Sequence, residues 1–112
     1  MCSQNQLNEI LKKVVDEAKS IFELKLNSVI LFGSYARGDY DEDSDIDVLI
    51  LVDLPYDELI AYRPHIDSLC GKLLFEYGVV VSAIEKDLKT YNQYANVLPF
   101  YKNVLKDGVR IA

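Results

Sequence analysis

IDVLILV, residues 46–52, restricts the fold of this chain more than any other segment. Six of its seven residues are apolar, and they fall on both alternating faces, as in a central strand covered on both sides. Yet the chain enters this strand through acid. Six carboxylates lie between residues 39 and 47: Asp39, Asp41, Glu42, Asp43, Asp45 and Asp47. In a strand, residues i and i+2 share a face, so Asp45 and Asp47 are expected to project side by side, followed by Leu49 and Leu51. At about 6–7 Å and an effective dielectric of about 20, two such charges repel by roughly 2–3 kcal/mol. Protons or cations must offset that cost. Asp39, Asp41, Glu42 and Asp43 read as a solvated acidic loop.

The other elements follow from periodicity. Leu7, Ile10, Leu11, Val14, Val15, Ala18, Ile21 and Phe22 keep helical spacing and predict a helix over about residues 4–24, with Ser3 and Gln6 placed for a capping box. SVILF, residues 28–32, predicts a strand ending at Gly33. Pro55 suits a first helical turn, and apolar spacing then runs from Leu59 to Tyr77. Pro64 interrupts it and predicts a break. Gly78 ends that helix, VVVSAI (residues 79–84) predicts a third strand, and a last helix is expected from Pro99 to just before Gly108. The order helix, strand, strand, helix, strand, helix predicts one α/β domain over residues 1–112.

Composition excludes several functions. The formal charge is -6 and the pI about 4.6, with no basic face such as general nucleic-acid binding needs. Cys2 and Cys70 make no disulfide framework and read as free thiols of a reducing compartment. No apolar run approaches the ~18 residues of a membrane span, and the N-terminus lacks a signal-peptide pattern, so a cytoplasmic protein is expected. His65 reads as a surface residue. Tyr91, Tyr94 and Tyr101 read as packing around the last helix or as a partner surface.

Paired carboxylates on one strand face suit Mg²⁺, which takes one or two carboxylates and completes its shell with water and substrate phosphate. The preceding segment offers room for that phosphate. If Ser34 opens a helical turn, backbone N–H groups there are available to an anion. Gly33 lets a phosphate approach the backbone, Ser34 adds a hydroxyl, and Arg37 lies about one turn further on. A Mg–nucleotide would bridge the two segments.

Gly-Ser, ten intervening residues, then Asp-Ile-Asp resembles the signature of the polymerase-beta-like nucleotidyltransferase superfamily. GSYARGDYDEDSDIDVLI is similar to the minimal nucleotidyltransferases in particular. LLFEYGVVVSAI and LPFYKNVLKDGV resemble the family's last strand and C-terminal helix, so the resemblance covers most of residues 28–110. It implies a small mixed sheet with helices packed mainly on one face. It implies transfer of a nucleoside monophosphate, usually AMP from ATP, to a hydroxyl. Gly33 and Ser34 would hold the β- and γ-phosphates, and Asp45 and Asp47 would bind Mg²⁺ and align the α-phosphate. It also implies a partner: many small members act as antitoxins of a helical HEPN-type toxin, some by adding AMP to a toxin tyrosine. Members that modify antibiotics usually carry a further domain.

This sequence departs from the pattern twice. Many members have Arg directly after the Gly-Ser pair, where Tyr35 stands here. Active members carry a third carboxylate on a later strand, and Ser82 holds the matching place. Glu85 and Asp87 are the remaining acids near that strand's end. Besides protein adenylylation, two alternatives therefore stand: a weakly catalytic module that neutralises a partner by contact, and transfer to a small molecule. Self-association is left open.

Overall fold

The computed structural model describes residues 3–112. Cys2 lies outside them. Helix α1 (Gln4–Phe22) opens with the expected capping box: the Gln6 N–H donates to Ser3 Oγ at 3.1 Å, and the Ser3 N–H donates to Gln6 Oε1 at 3.0 Å. The helix stops two residues earlier than its spacing suggests. Glu23 takes a positive φ of 52°, and residues 23–25 tighten into a 3₁₀ turn.

Four strands form one mixed sheet. Strand β1 (Leu26–Phe32) leads into the one-turn helix α2 (Ser34–Arg37), and β2 (Ile46–Val52) follows the acidic loop. Helices α3 (Tyr56–Leu59) and α4 (Arg63–Tyr77) cross over to β3 (Val81–Asp87). The strand order is β3-β2-β1-β4, with β4 being Val109–Arg110. β1 pairs antiparallel with β2 and β4, while β2 and β3 are parallel. Parallel neighbours need a long crossover, which α3 and α4 supply.

β2 is central and covered on both faces, as its apolar composition requires. Ile46, Val48, Ile50 and Val52 face a core shared with Ile10 and Val14 of α1 and Ile66 and Leu73 of α4. Each fully buried aliphatic side chain contributes about 1.5–3 kcal/mol. Leu49 and Leu51 face the other way and pack with Val104, Ile30, Phe32 and Tyr91. The helices thus lie mainly on one face. A smaller layer, α5 (Leu88–Tyr94) and α6 (Pro99–Asp107), covers the second.

Several boundaries differ from expectation. Pro55 is the N-cap of α3 rather than its first residue, and Pro64 sits in the first turn of α4, so the break precedes it. β3 runs from 81 to 87, not 79 to 84, because pairing with β2 begins at Ile46 opposite Val81. α5 and β4 were not expected. α5 packs Leu88 and Tyr91 only partly buried against the second layer and β4 is exposed, so neither carries an extended apolar pattern. Among the described residues, no helix is long and apolar enough to cross a membrane.

Candidate active site

The turn after β1 is built around Gly33. Its φ of 75° is left-handed territory where a side chain would be strained, and a Cβ there would collide with Asp47 Oδ2. Gly33 therefore does two things: it turns the chain into α2, and it lets the Asp47 carboxylate approach the backbone. The N–H groups of Ala36 and Arg37 each donate to the Gly33 carbonyl at 3.1 Å, closing the helical turn that Ser34 opens. Gly38, in the left-handed conformation, ends it.

Phe32, Gly33, Ser34, Arg37 and Asp47 line one cleft of about 350 Å³. Four of the five expected site residues are thus brought together. The fifth, Asp45, is placed differently. It precedes β2 and is exposed, and it lines a second cleft of about 250 Å³ with Tyr35, Glu42, Asp43, Ser44 and the chain at residues 78–80. The acids are therefore not aimed into the core. Asp47 is half-buried at one cleft wall, and Asp45 is exposed at the other cleft. They still sense each other. Burial raises the Asp47 carboxyl above its ordinary value, the Asp45 charge raises it further, and Arg37 lowers it.

The two departures take definite positions. Tyr35 is buried and stacks on Tyr40, with ring centroids 4.2 Å apart and planes 6° from parallel, so it does not replace an arginine at the cleft. Ser82 pairs directly with Asp47 across the parallel β2–β3 register, so the matching place beside Asp47 holds a hydroxyl. Glu85 pairs with Ile50, on the opposite face. It is buried, and its Oε1 accepts from Arg63 Nη1 at 3.1 Å. Asp87 is the N-cap of α5, accepting from the Thr90 N–H at 3.0 Å and its hydroxyl at 2.5 Å. Neither acid reaches the cleft.

Sequence reasoning missed the cleft's other wall. Phe100, Asn103 and Asp107 of α6 line it. They share one helical flank (i, i+3, i+7), the only signal that would have found them. His65 is exposed, as expected. Tyr91 and Tyr101 pack edge-to-face at 5.5 Å, whereas Tyr94 stays partly exposed. Cys70 is a half-buried free thiol, pushed up by burial.

Comparison with known proteins agrees with this geometry. Residues 11–110 match the nucleotidyltransferase domain family. A Methanocaldococcus jannaschii protein named "putative protein adenylyltransferase" is 44% identical over 98 residues, covering 88% of this chain and 90% of its own. A second protein of that name and organism is 44% identical over 109 residues, 97% of each chain. The crystal structure of a "putative nucleotidyltransferase" from Sulfolobus solfataricus superposes with a TM-score of 0.59 at 26% identity, over 94% of this chain and 80% of that one. A toxin-antitoxin crystal structure with AMP-PNP shares the fold, with a TM-score of 0.54 at 21% identity over 90% and 71% of the two chains. On its sequence and its fold alike, this chain belongs to the nucleotidyltransferase domain family and is a nucleotidyltransferase.

Proposed function

We propose that this chain transfers AMP from ATP to a hydroxyl of a partner protein, and that the partner is a HEPN-type helical toxin for which it serves as antitoxin. One observation carries the chemistry: a half-buried, charge-raised carboxylate, Asp47, is held against the side-chain-free Gly33 that begins the Ser34 turn. An acid kept at that cost, facing a turn suited to phosphate, fits a site that a metal–nucleotide neutralises. Protein transfer is supported by the names of the two archaeal relatives, which match nearly full length. The toxin partner is supported by the resemblance of GSYARGDYDEDSDIDVLI to the minimal nucleotidyltransferases.

The residues fit Mg²⁺ in one particular way. Among the described residues, no three His, Cys, Asp or Glu side chains gather closely enough to cage a metal. Two carboxylates are what Mg²⁺ takes when substrate phosphates complete its shell. Asp45 and Asp47 would hold it, and it would supply charge neutralisation at the phosphates. Gly33, Ser34 and Arg37 bind the β- and γ-phosphates, which fixes the α-phosphorus near Asp47. The acceptor oxygen bonds to that phosphorus as the α–β bridging P–O bond breaks. Pyrophosphate departs on the Arg37 side, and the hydroxyl proton passes to water. Ser82, being neutral, does not take that proton as a third carboxylate would, so proton removal is slower by about 10²–10⁴-fold.

That same serine favours a second reading: a nucleotidyltransferase fold that neutralises its partner by stoichiometric contact. One experiment separates the two. The purified partner is incubated with ATP, Mg²⁺ and either the native chain or Asp45→Asn/Asp47→Asn, and its intact mass is recorded. Adenylylation predicts gain of one or more AMP units with the native chain alone. No gain, with neutralisation kept by the folded double variant, would establish the contact reading instead.

A further inference from the structure

Among the described residues, the one cation lining this cleft is Arg37, and two carboxylates approach it. Its Nε donates to Asp39 Oδ2 at 3.2 Å, from the loop that follows α2. Its Nη1 lies 3.8 Å from Asp107 Oδ2, at the far end of the chain on α6. Asp39 thus hydrogen-bonds Nε, Asp107 forms a looser ion pair with Nη1, and Nη2 takes part in neither contact. A guanidinium is planar and rigid, so contacts at Nε and Nη1 bias the direction in which the N–H groups of Nη2 point.

Asp107 is itself placed with little freedom. Phe100, at the start of the same helical flank, meets Phe32 edge-to-face at 5.5 Å, beside the Gly33 turn. Tyr101 and Val104 anchor the adjacent flank in the core. Gly108 follows Asp107 where helix and sheet come closest: a Cβ there would lie 2.7 Å from Ile30 Cγ2 and would collide with the Val104 carbonyl oxygen. β4 then pairs with β1 at Ile30 and Leu31. The close approach at Gly108 and the pairing after it pin the end of α6 over β1, and with it the Asp107 carboxylate beside Arg37.

We infer that Asp107 is a positioning residue for Arg37, turning the guanidinium's Nη2 N–H groups toward the phosphates of the nucleotide. The inference rests on the nucleotide reading of this cleft and adds a residue to it. Tyr35 is buried, so among the described residues that line the cleft Arg37 alone brings a positive charge to the phosphates, beside Gly33 and Ser34. Asp107 has no favourable contact of its own to offer a phosphate. Its charge repels one, and it assists only through Arg37.

That opposition of signs gives the test. MgATP binding is measured by calorimetry on the full chain for wild type, Asp107→Ala, Arg37→Gln and the double variant. With Arg37 present, Asp107→Ala should weaken binding about two- to fivefold, the range for a partly exposed pair. With Arg37→Gln, the same change should leave binding unchanged or tighten it, because only repulsion is left to remove. Asp107→Asn, of the same size, should behave as Asp107→Ala. Weakening of equal size in both backgrounds would mean general damage to α6 and would overturn the inference; so would tightening in both. A second readout needs no nucleotide. Rotation of the Arg37 Nη groups about the Nε–Cζ bond should be slow by NMR in the wild type and faster in Asp107→Ala. Intact MgATP binding with unchanged Arg37 dynamics would overturn this inference alone, whereas a folded wild type that binds no MgATP would overturn the nucleotide reading along with it.

Discussion

β2 and β3 run parallel and in register, and each carries acid, yet they use it in opposite ways. On β2, Asp47 faces the cleft and is raised by burial and by Asp45. On β3, the residue beside it is Ser82, and the strand's nearest acid, Glu85, is three residues further on, an odd step that turns it to the other face. There Glu85 is more buried than Asp47 but has a fixed counter-charge in Arg63. Burial alone therefore does not mark a functional acid. Asp47 is held near a second carboxylate and open to a cleft, which costs stability that Arg37 offsets only in part. Glu85 is held by a partner already in the fold.

The largest effect should follow from Asp47→Asn. Losing the carboxylate at the proposed metal–nucleotide position should lower AMP transfer by at least about 10²–10³-fold, the scale for removing one preorganised electrostatic group. The same variant should be no less stable than the native chain without Mg²⁺. A carboxyl raised in the folded state opposes folding once pH exceeds its unfolded value, and asparagine removes that opposition. Intact-mass kinetics and thermal unfolding near pH 7 check the two halves. Lost activity together with a marked fall in unfolding temperature would make Asp47 a structural acid like Glu85 and erase the contrast.

Ser82→Asp should sharpen it. A carboxylate beside Asp47 would supply the missing proton acceptor and should raise the transfer rate about 10–100-fold, the lower part of the range for a positioned base. It would also add a third like charge, so the apo protein should unfold at lower temperature and regain part of the loss with Mg²⁺ and ATP. A folded Ser82→Asp chain with unchanged turnover would show that another group already removes the proton.

The Glu85 side of the comparison is breakable by charge alone. Arg63→Met leaves a buried carboxylate without its partner and should cost about 1–3 kcal/mol in urea unfolding. Arg63 is half exposed, which keeps the figure at this level rather than that of a fully buried pair. Adding Glu85→Leu should recover the loss, since an apolar pair of similar volume is often as stable as the ion pair it replaces. Neither change should alter AMP transfer, because both residues lie on the face away from Asp47.

How much of this was legible in the chain differs between the same two strands. β2 was read to the residue, because a run apolar on both faces has no other stable place, and the Gly33–Ser34 turn followed from the strand end before it. β3 was misplaced. Val79 and Val80 look like strand but precede the pairing, and its second half, Glu85–Lys86–Asp87, is polar for reasons no local pattern reveals: an ion pair across to α4 and a cap for α5. The α6 wall escaped for a similar reason. Asn103 and Asp107 are polar residues on a helix flank, which reads as a solvated surface until the fold sets that flank against Gly33. Local apolar pattern encodes the core, whereas the meaning of a polar residue depends on what a distant segment brings to it.

Asp87 should give the smallest effect, and it divides β3's acids once more. Burial pushes its carboxyl up, but the Thr90 hydroxyl and amide, donating to the charged form, outweigh this and leave it below the ordinary 3.8. A depressed folded value means stability that is fully present above the unfolded pKa and is lost as pH falls through the folded one. Asp87→Ala should cost about 0.5–2 kcal/mol near neutral pH, as loss of an N-cap does. Asp87→Asn keeps a capping oxygen without the charge, so it should lose little at neutral pH and should flatten the acid limb of the stability curve below about pH 4. Urea unfolding of the three proteins at neutral and acid pH decides it. If Asp87→Asn kept the acid limb unchanged, the carboxylate that takes up a proton there would have to be another one, and Asp87 would be a cap by geometry rather than by charge.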